Sequence, residues 1–423
     1  MDMVGEKQSN RRRCKLEEDQ PESWIHSLPH DIAMDILSRL PVTSLIQVKF
    51  VSRASQILTN DPLLVKLHLS ETAKNTPCLI FHSDYPIRNQ LYFVEPSDHE
   101  DQKEIVRKIQ TPFPASMPEF NVVGSCNGLL FLSDSLYDDS LYVYNPFTRK
   151  HKELPKSIQF EQQEVMFGFG FHPVTNEYKV IKIIYYYNAY SGYGRGWRYG
   201  RFRIHDSPHP EAQILSLSSN IWRSIGKVPY QLDRRSSEAL VNGRLHWLTR
   251  RVKNNGVRGQ IMVSFDLADE QFREVPRADN NAFLTRRNCY LTVLGGCLSA
   301  VVPLKYGRLE IWVMKEYNVR ESWFKQYDIA ADLPKNVDQD LKRPYAIWKN
   351  IMNKRIVRNK RIVRILCLLK NGKILLEYRG GNLVSYDPES ETFENMMFQG
   401  MPNLFQTVVH VGSLNWIANP TEL

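Results

Sequence analysis

From Cys78 onward the apolar residues come in short runs rich in Val, Ile, Leu, Tyr and Phe, and four of these runs follow directly on a glycine turn. Asn127-Gly128 precedes LLFL, Asn242-Gly243 precedes RLHWL, Gly295-Gly296 precedes CLSAVV, and Asn371-Gly372 precedes KILLEY. Such dipeptides favour the two-residue turns whose twist suits antiparallel strands. Each turn is followed by a second hairpin, at 141–155, 261–276, 309–329 and 382–396. A strand before each glycine turn, one after it and two in the hairpin make a four-stranded antiparallel sheet. Recurrence of such sheets predicts an all-β propeller, in which closure into a ring protects the strand edges.

Residues 166–229 supply another sheet through FGFGFHP, EYKVIKIIYYY, QILSLSS and WRSIGKV. Residues 78–110 supply CLIFHS, LYFV and EIVRKI, one strand short, and the apolar stretch Thr407 to Val411 at the far end of the chain completes the set. The count is six blades. Irregular spacing leaves five or seven open, and a pair of packed sheets is the alternative architecture. Lys103 to Gln110 reads as an edge strand running into a loop, not as a long linker.

Ahead of the strands, Leu28 to Leu69 has a helical period and reads as three short helices. Ile32, Ile36, Leu37 and Leu40 fall on one apolar face of the first, with Asp31, Asp35, Ser38 and Arg39 left to water. Pro41 stops that helix. The second is expected to begin after Thr43 or Ser44 and to carry Leu45, Val48, Val51 and Leu58; the third begins at Asp61-Pro62, an acceptor followed by a proline at the first helical position. So small a module cannot bury all these aliphatic groups within itself. The surplus fits either a docking element or a helical cap packed on the rest of the chain.

Leu28-Pro29, the Ile-Leu-x-x-Leu-Pro of Ile36 to Pro41, and Asp61-Pro62 followed by Val65 and His68-Leu69 resemble the F-box. That resemblance implies docking on a Skp-type adaptor, and through it on a cullin, with Leu28, Pro29, Ile36, Leu37, Leu40 and Pro41 as adaptor contacts. Ser55 stands where the family commonly has a tryptophan, which removes a large apolar anchor. The strand region is similar to the plant F-box-associated interaction domain, expected to be a kelch-like propeller. The resemblance rests on VVGSCNGLLFL with YNPFTRKHKELP, FGFGFHPVTNEYKVIKI, LVNGRLHWL, VSFDLADEQFREVP, LTVLGGCLSAV and above all IWVMKEYNVRESW at 311–323. The implied organisation is a polar tail over 1–23, an F-box over 24–72, a propeller over 73–418 and a short tail over 419–423. The implied function is that of a non-catalytic substrate receptor of an SCF ubiquitin ligase, and the implied source is a plant.

A formal net charge of +9 over 423 residues is a weak argument for nucleic acid. The six cysteines contain no C-x-x-C, the closest pair being Cys289 and Cys297, so no zinc finger or ring module is expected. The opening of the chain does not read as a signal peptide and no apolar run approaches a bilayer span, which places the protein in the nucleus, the cytoplasm or both. Arg11-Arg12-Arg13 with Lys15 is a permissive match to a nuclear import signal.

The most unusual local sequence is YYYNAYSGYGRGWRYGR at 185–201, whose Tyr190, Tyr193, Arg195, Trp197 and Arg198 are candidate substrate-binding residues. Aromatic rings among arginines anchor protein interfaces and also stack on bases; a passive loop is the remaining reading. The basic run at 349–364 suits an acidic segment, a phosphate backbone or plain solvent exposure. His172, His246 and His410 lack metal-ligand spacing and read as structural, and no cofactor is implied. Carboxylates are scattered and no G-x-S-x-G occurs. A protein-interaction propeller outside the ubiquitin pathway, a propeller hydrolase and a nucleic-acid binder are the rival functions.

Overall fold

Prolines and side-chain caps cut the N-terminal region into four helices, α1 (His30–Ser38), α2 (Val42–Val48), α3 (Arg53–Thr59) and α4 (Pro62–Thr72). The expected three become four because the middle stretch breaks in two. Ser52 accepts the Ser55 N–H on its hydroxyl at 3.1 Å and so caps a new helix. α2 starts at Val42, directly after Pro41, earlier than expected. Asp61 Oδ1 accepts the Leu63 N–H at 2.7 Å and Pro62 takes the first position of α4, as the residue types demand. The computed structural model describes residues 28–74, 77–85, 89–96, 104–112, 117, 119–135, 140–157, 163–186, 209–233, 239–249, 252–254, 257–277, 289–304, 308–330, 363–378 and 382–417.

The body is six four-stranded antiparallel sheets. Blade 1 begins with β1 (Cys78–Tyr85), β2 (Gln90–Val94) and β3 (Arg107–Ile109). Blade 2 holds β4 (Phe120–Cys126), β5 (Leu129–Asp134), β6 (Leu141–Tyr144) and β7 (His151–Glu153); blade 3 holds β8 (Gln163–His172), β9 (Glu177–Tyr186), β10 (Glu211–Ser216) and β11 (Ile221–Lys227). Blade 4 holds β12 (Ala239–Val241) and β13 (Arg244–Leu248), a separate hairpin of β14 (Val252–Asn254) and β15 (Val257–Gly259), then β16 (Met262–Asp266) and β17 (Phe272–Glu274). Blade 5 is β18 (Tyr290–Leu294), β19 (Cys297–Pro303), β20 (Arg308–Met314) and β21 (Trp323–Ala330); blade 6 is β22 (Val363–Leu368), β23 (Ile374–Tyr378), β24 (Asn382–Asp387) and β25 (Thr392–Met396). The last strand, β26 (Leu404–His410), returns to blade 1 and pairs antiparallel with β1, Cys78 opposite His410 and Phe81 opposite Thr407. The far end of the chain thus completes the first sheet, as its composition indicates.

Three of the glycine turns take the expected form, with Asn127 and Gly128 at φ 50° and 83°, Asn242 and Gly243 at 51° and 71°, and Gly295 and Gly296 at 55° and 76°. The turn at Asn371-Gly372 is wider, closed by Gly372 N to Leu369 O at 3.0 Å and Leu369 N to Lys373 O at 2.8 Å. Because each sheet is antiparallel, the turn joining its first two strands and the turn joining its last two lie at one end. In blade 2 these are 127–128 and 145–150, and the same end of blade 1 carries Glu95 and the chain after β26. The helices sit here, where Thr43 Oγ1 donates to Glu95 Oε2 at 3.0 Å. The second-to-third-strand and inter-blade connections leave from the opposite face.

Side chains that alternate along the strands fill the wedges between blades. Phe131 of blade 2 lies 5.6 Å, centroid to centroid, from both Phe167 and Phe169 of blade 3. At the ring closure, Leu79, Phe81 and Phe405 of blade 1 pack on Leu375 and Leu383 of blade 6. Arg364 donates to Glu377 at 2.8 Å and to the Thr407 carbonyl at 3.3 Å, while Glu377 accepts the Thr407 N–H at 3.1 Å. Glu377 is buried, so Arg364→Ala leaves its carboxylate without its arginine; a loss of about 3 kcal/mol in urea unfolding is expected.

The three histidines singled out in the sequence are buried within the blades. His246 Nδ1 bonds the Ala239 carbonyl at 3.2 Å and Nε2 bonds the Tyr317 hydroxyl at 2.8 Å. His410 Nδ1 bonds the Ser125 hydroxyl at 2.9 Å. His172 packs against Gly243, where any side chain would collide with its ring. Burial pushes His246 down to about 4 and His410 to about 3, from an ordinary 6.5. In the unfolded chain both take a proton near 6.5, so the stability present above that pH is lost as pH falls toward the folded values. The slope is up to about 1.4 kcal/mol per pH unit per histidine. Urea midpoints are expected to fall steadily from neutral pH to about pH 4.5, and His410→Phe is expected to flatten the slope.

Candidate protein-docking site

Among the described residues, exposed apolar surface is concentrated on the helices. Among the described residues the exposed large apolar side chains outside them are Ile105, Val174, Ile221, Val319, Phe324 and Met397, scattered over the propeller. Ile32, Ile36, Phe50, Val51, Ile57, Leu63 and Leu67 all fall within residues 32–67. So dense a set of exposed aliphatic and aromatic groups on a short module marks a contact surface.

The site divides according to which side of each helix meets the core. In α1, Ala33, Met34 and Leu37 are buried, and Met34 and Leu37 pack on Leu45 of α2 and Leu64 of α4. Ile32 and Ile36 face outward at 50% and 37% exposure. The single apolar face expected on α1 is therefore two stripes, and Leu37, at 0% exposure, is a core residue of the helices. Pro29 and Pro41 are exposed and Leu28 and Leu40 half-buried, so Ile36 and the prolines stand accessible while Leu40 edges the core. Ser38, expected in water, is buried and donates to the Asp35 carbonyl at 2.8 Å.

Phe50, Val51 and Ile57 are the exposed apolar residues that the helical pattern missed. A continuous second helix would place Val51 inside. The break at Ser52 puts Phe50 and Val51 in a turn at 81% and 63% exposure and leaves Ile57 on the outer side of α3 at 72%. The available signal was the serine itself, an N-cap residue in mid-pattern. Ser55, which replaces the family tryptophan, is fully buried, and its hydroxyl lies 2.8 Å from that of Ser52. A small side chain is thus accommodated by closing the helix start over it.

His68 clamps the site. Its Nε2 bonds the Leu40 carbonyl at 3.0 Å, tying α4 to the end of α1, and burial lowers its pKa although the Leu40 bond opposes the shift. The ion pairs Arg39–Asp35 and Lys74–Glu71, at 2.8 Å and 2.7 Å, are exposed and add little.

Tyr190, Tyr193, Arg195, Trp197 and Arg198, and the basic run at 349–364 as far as residue 362, lie outside the described residues. The strand ends that flank them are described. Tyr186 of β9 and Glu211 of β10, with Ala330 of β21 and Val363 of β22, stand on the propeller face opposite the helices. Among the described residues no group of three or more His, Cys, Asp and Glu side chains is placed to hold a metal ion. No helix there is long and apolar enough to cross a membrane.

Four short helices with an outward apolar surface, seated on one end of a six-bladed propeller, define a class of propeller proteins that carry a small helical module. Residues 25–69 match the F-box-like family, and residues 78–419 match the family described as the F-box associated beta propeller domain. The chain is 49% identical over 407 residues to the Arabidopsis thaliana F-box protein At3g07870, covering 94% of each chain. It is 28% identical over 409 residues to F-box protein CPR1 of the same plant, covering 92% of this chain and 88% of that one. With F-box/kelch-repeat protein At3g23880, also from Arabidopsis thaliana, identity is 27% over 330 residues, covering 72% and 80%. The protein belongs to the F-box proteins that bear an F-box associated β-propeller.

The division between core and surface gives a test. Leu37→Ala is expected to cost about 3 kcal/mol in the stability of the helices, read as loss of hydrogen-exchange protection over residues 30–72. Ile36→Ala, one residue away, is expected to leave that protection unchanged.

Proposed function

We propose that this protein is the substrate-recognition subunit of an SCF ubiquitin ligase. The helices bind a Skp-type adaptor and through it a cullin, and the propeller holds a protein substrate. The observation that carries this reading is the crowding of exposed Ile32, Ile36, Phe50, Val51 and Ile57 onto a module whose own core is already closed by Leu37, Leu45 and Leu64. An apolar partner surface gains from covering them at roughly 25 cal/mol per Å² of area removed from water.

The chain makes and breaks no bond in this reading. Its contribution is effective concentration: a bound substrate lysine is held near a charged conjugating enzyme carried by the other end of the assembly. The substrate face is the one opposite the helices, where Tyr190, Tyr193, Arg195, Trp197 and Arg198 belong to the connection between β9 and β10. Buried charges elsewhere are engaged in holding blades together. Lys179, for example, donates at 2.7 Å to both Glu270 and the Leu267 carbonyl. That use of charge favours a scaffold over a propeller hydrolase.

Ile36→Asp and Ile57→Asp are each expected to weaken binding of a purified plant Skp-type adaptor at least tenfold, with circular dichroism unchanged, because a carboxylate is forced into an apolar contact. Full binding by both variants removes the docking assignment. Tyr190→Ala and Trp197→Ala are expected to spare adaptor binding and to reduce the substrates co-purified from plant extract. An unchanged set of co-purified proteins removes the substrate-face assignment.

A further inference from the structure

Among the described residues that follow β26, the chain enters no further strand. Val411 to Ile417 instead runs between the helices and the propeller. Leu414 packs on the cluster of Met34, Leu37, Leu45 and Leu64 and so completes the core of the docking helices from the opposite end of the chain. Gly412 passes so close to α2 that a Cβ there would lie 2.6 Å from Val42 Cγ1. The segment is also fixed from the propeller side. Asn145 Nδ2 donates to the carbonyls of Ser413 and Asn415, at 2.9 Å and 2.7 Å. Asn415 Nδ2 in turn donates to the Asn127 carbonyl at 2.9 Å and the Tyr178 hydroxyl at 2.6 Å. Beyond it, Ile417 is buried between blades 2 and 3.

Leu414 is therefore anchored on both sides, by strand pairing before it and by directional amide bonds and a buried isoleucine after it. Amide bonds of this kind specify one geometry where aliphatic packing alone would permit sliding. The helices, for their part, have a core too small to be secure without an added side chain. We propose that Val411 to Ile417 is a positioning segment: it holds the docking helices in one orientation on the propeller and makes their fold depend on the finished ring. The value of a fixed orientation for ubiquitin transfer rests on the receptor reading given above; the structural claim does not.

The test is hydrogen exchange on the full chain and on two variants, Leu414→Ala, which removes the contact with the helices, and Asn145→Ala, which frees the segment without touching them. Amides of α1, α2 and α4 are expected to exchange about tenfold faster, or more, in both variants, with blades 4 and 5 unchanged. Helix protection equal to the parent's in either variant overturns the proposal. So does acceleration spread evenly over the helices and blades 4 and 5 in both; if only Leu414→Ala loosens the whole chain, Asn145→Ala decides. Spin labels at Gln56 on α3 and Glu389 on blade 6 read orientation directly. A narrow distance distribution that broadens in Asn145→Ala supports positioning, and one already broad in the parent overturns it. None of these readouts uses the adaptor, so a chain that binds no adaptor refutes the receptor reading and leaves this one to be decided separately.

Discussion

The pairing of β26 with β1 is the constraint on which the rest of the architecture depends. Five blades are each drawn from one stretch of the chain, but blade 1 obtains its innermost strand from the other end of the chain. Without it, β1 would present an open edge to the centre and the wedge between blades 1 and 6 would lose Phe405. The closure carries its own lock, since Arg364 and Glu377 of blade 6 both bond backbone atoms of Thr407 in β26. A buried ion pair seldom adds much net stability, but when it also satisfies backbone groups it specifies which strand belongs in the gap.

Closure also sets where the helices can sit. The strand that completes the ring ends at the face carrying the tight turns, and the chain that leaves it runs straight into the helical core. Docking surface and ring are thus two outcomes of one strand's placement. The odd motif at 311–323 has a comparable part between blades. Tyr317 reaches His246 of blade 4 through its hydroxyl and lies under Arg244, while Trp323 Nε1 donates to the Pro276 carbonyl at 2.9 Å. Two aromatic residues of the motif thus join neighbouring sheets.

The blades were legible because their information is local. An Asn-Gly or Gly-Gly turn followed by a short apolar run names a hairpin without reference to distant sequence, and counting hairpins counts sheets. The helical site was less so. Leu37 and Ile36 are adjacent, both apolar, and indistinguishable by period; what separates them is contact with Leu45 and Leu64, and with Leu414 from the far end of the chain. The break at Ser52 was equally hidden, since a serine in the middle of a helical pattern is tolerated as often as it caps. Nothing local marks Asn145 or Asn415 as the amides that hold the C-terminal segment, because amides in turns ordinarily serve their own turn. Asn145 does both, its Oδ1 accepting the Phe147 N–H at 2.9 Å while its Nδ2 bonds the distant backbone.

The two faces of the ring differ in how much chain they carry. On the helix side, strands are joined by turns as short as Asn127-Gly128 and Asn242-Gly243; on the other, Tyr186 to Glu211 and Ala330 to Val363 are spanned by long connections. Long surface connections accept insertion and replacement at little cost to the strands beneath them. A propeller built this way separates the part that must remain constant from the part that is free to change. Under the receptor function proposed above, new clients are reachable by rewriting one face, while the grip on the adaptor is left as it was.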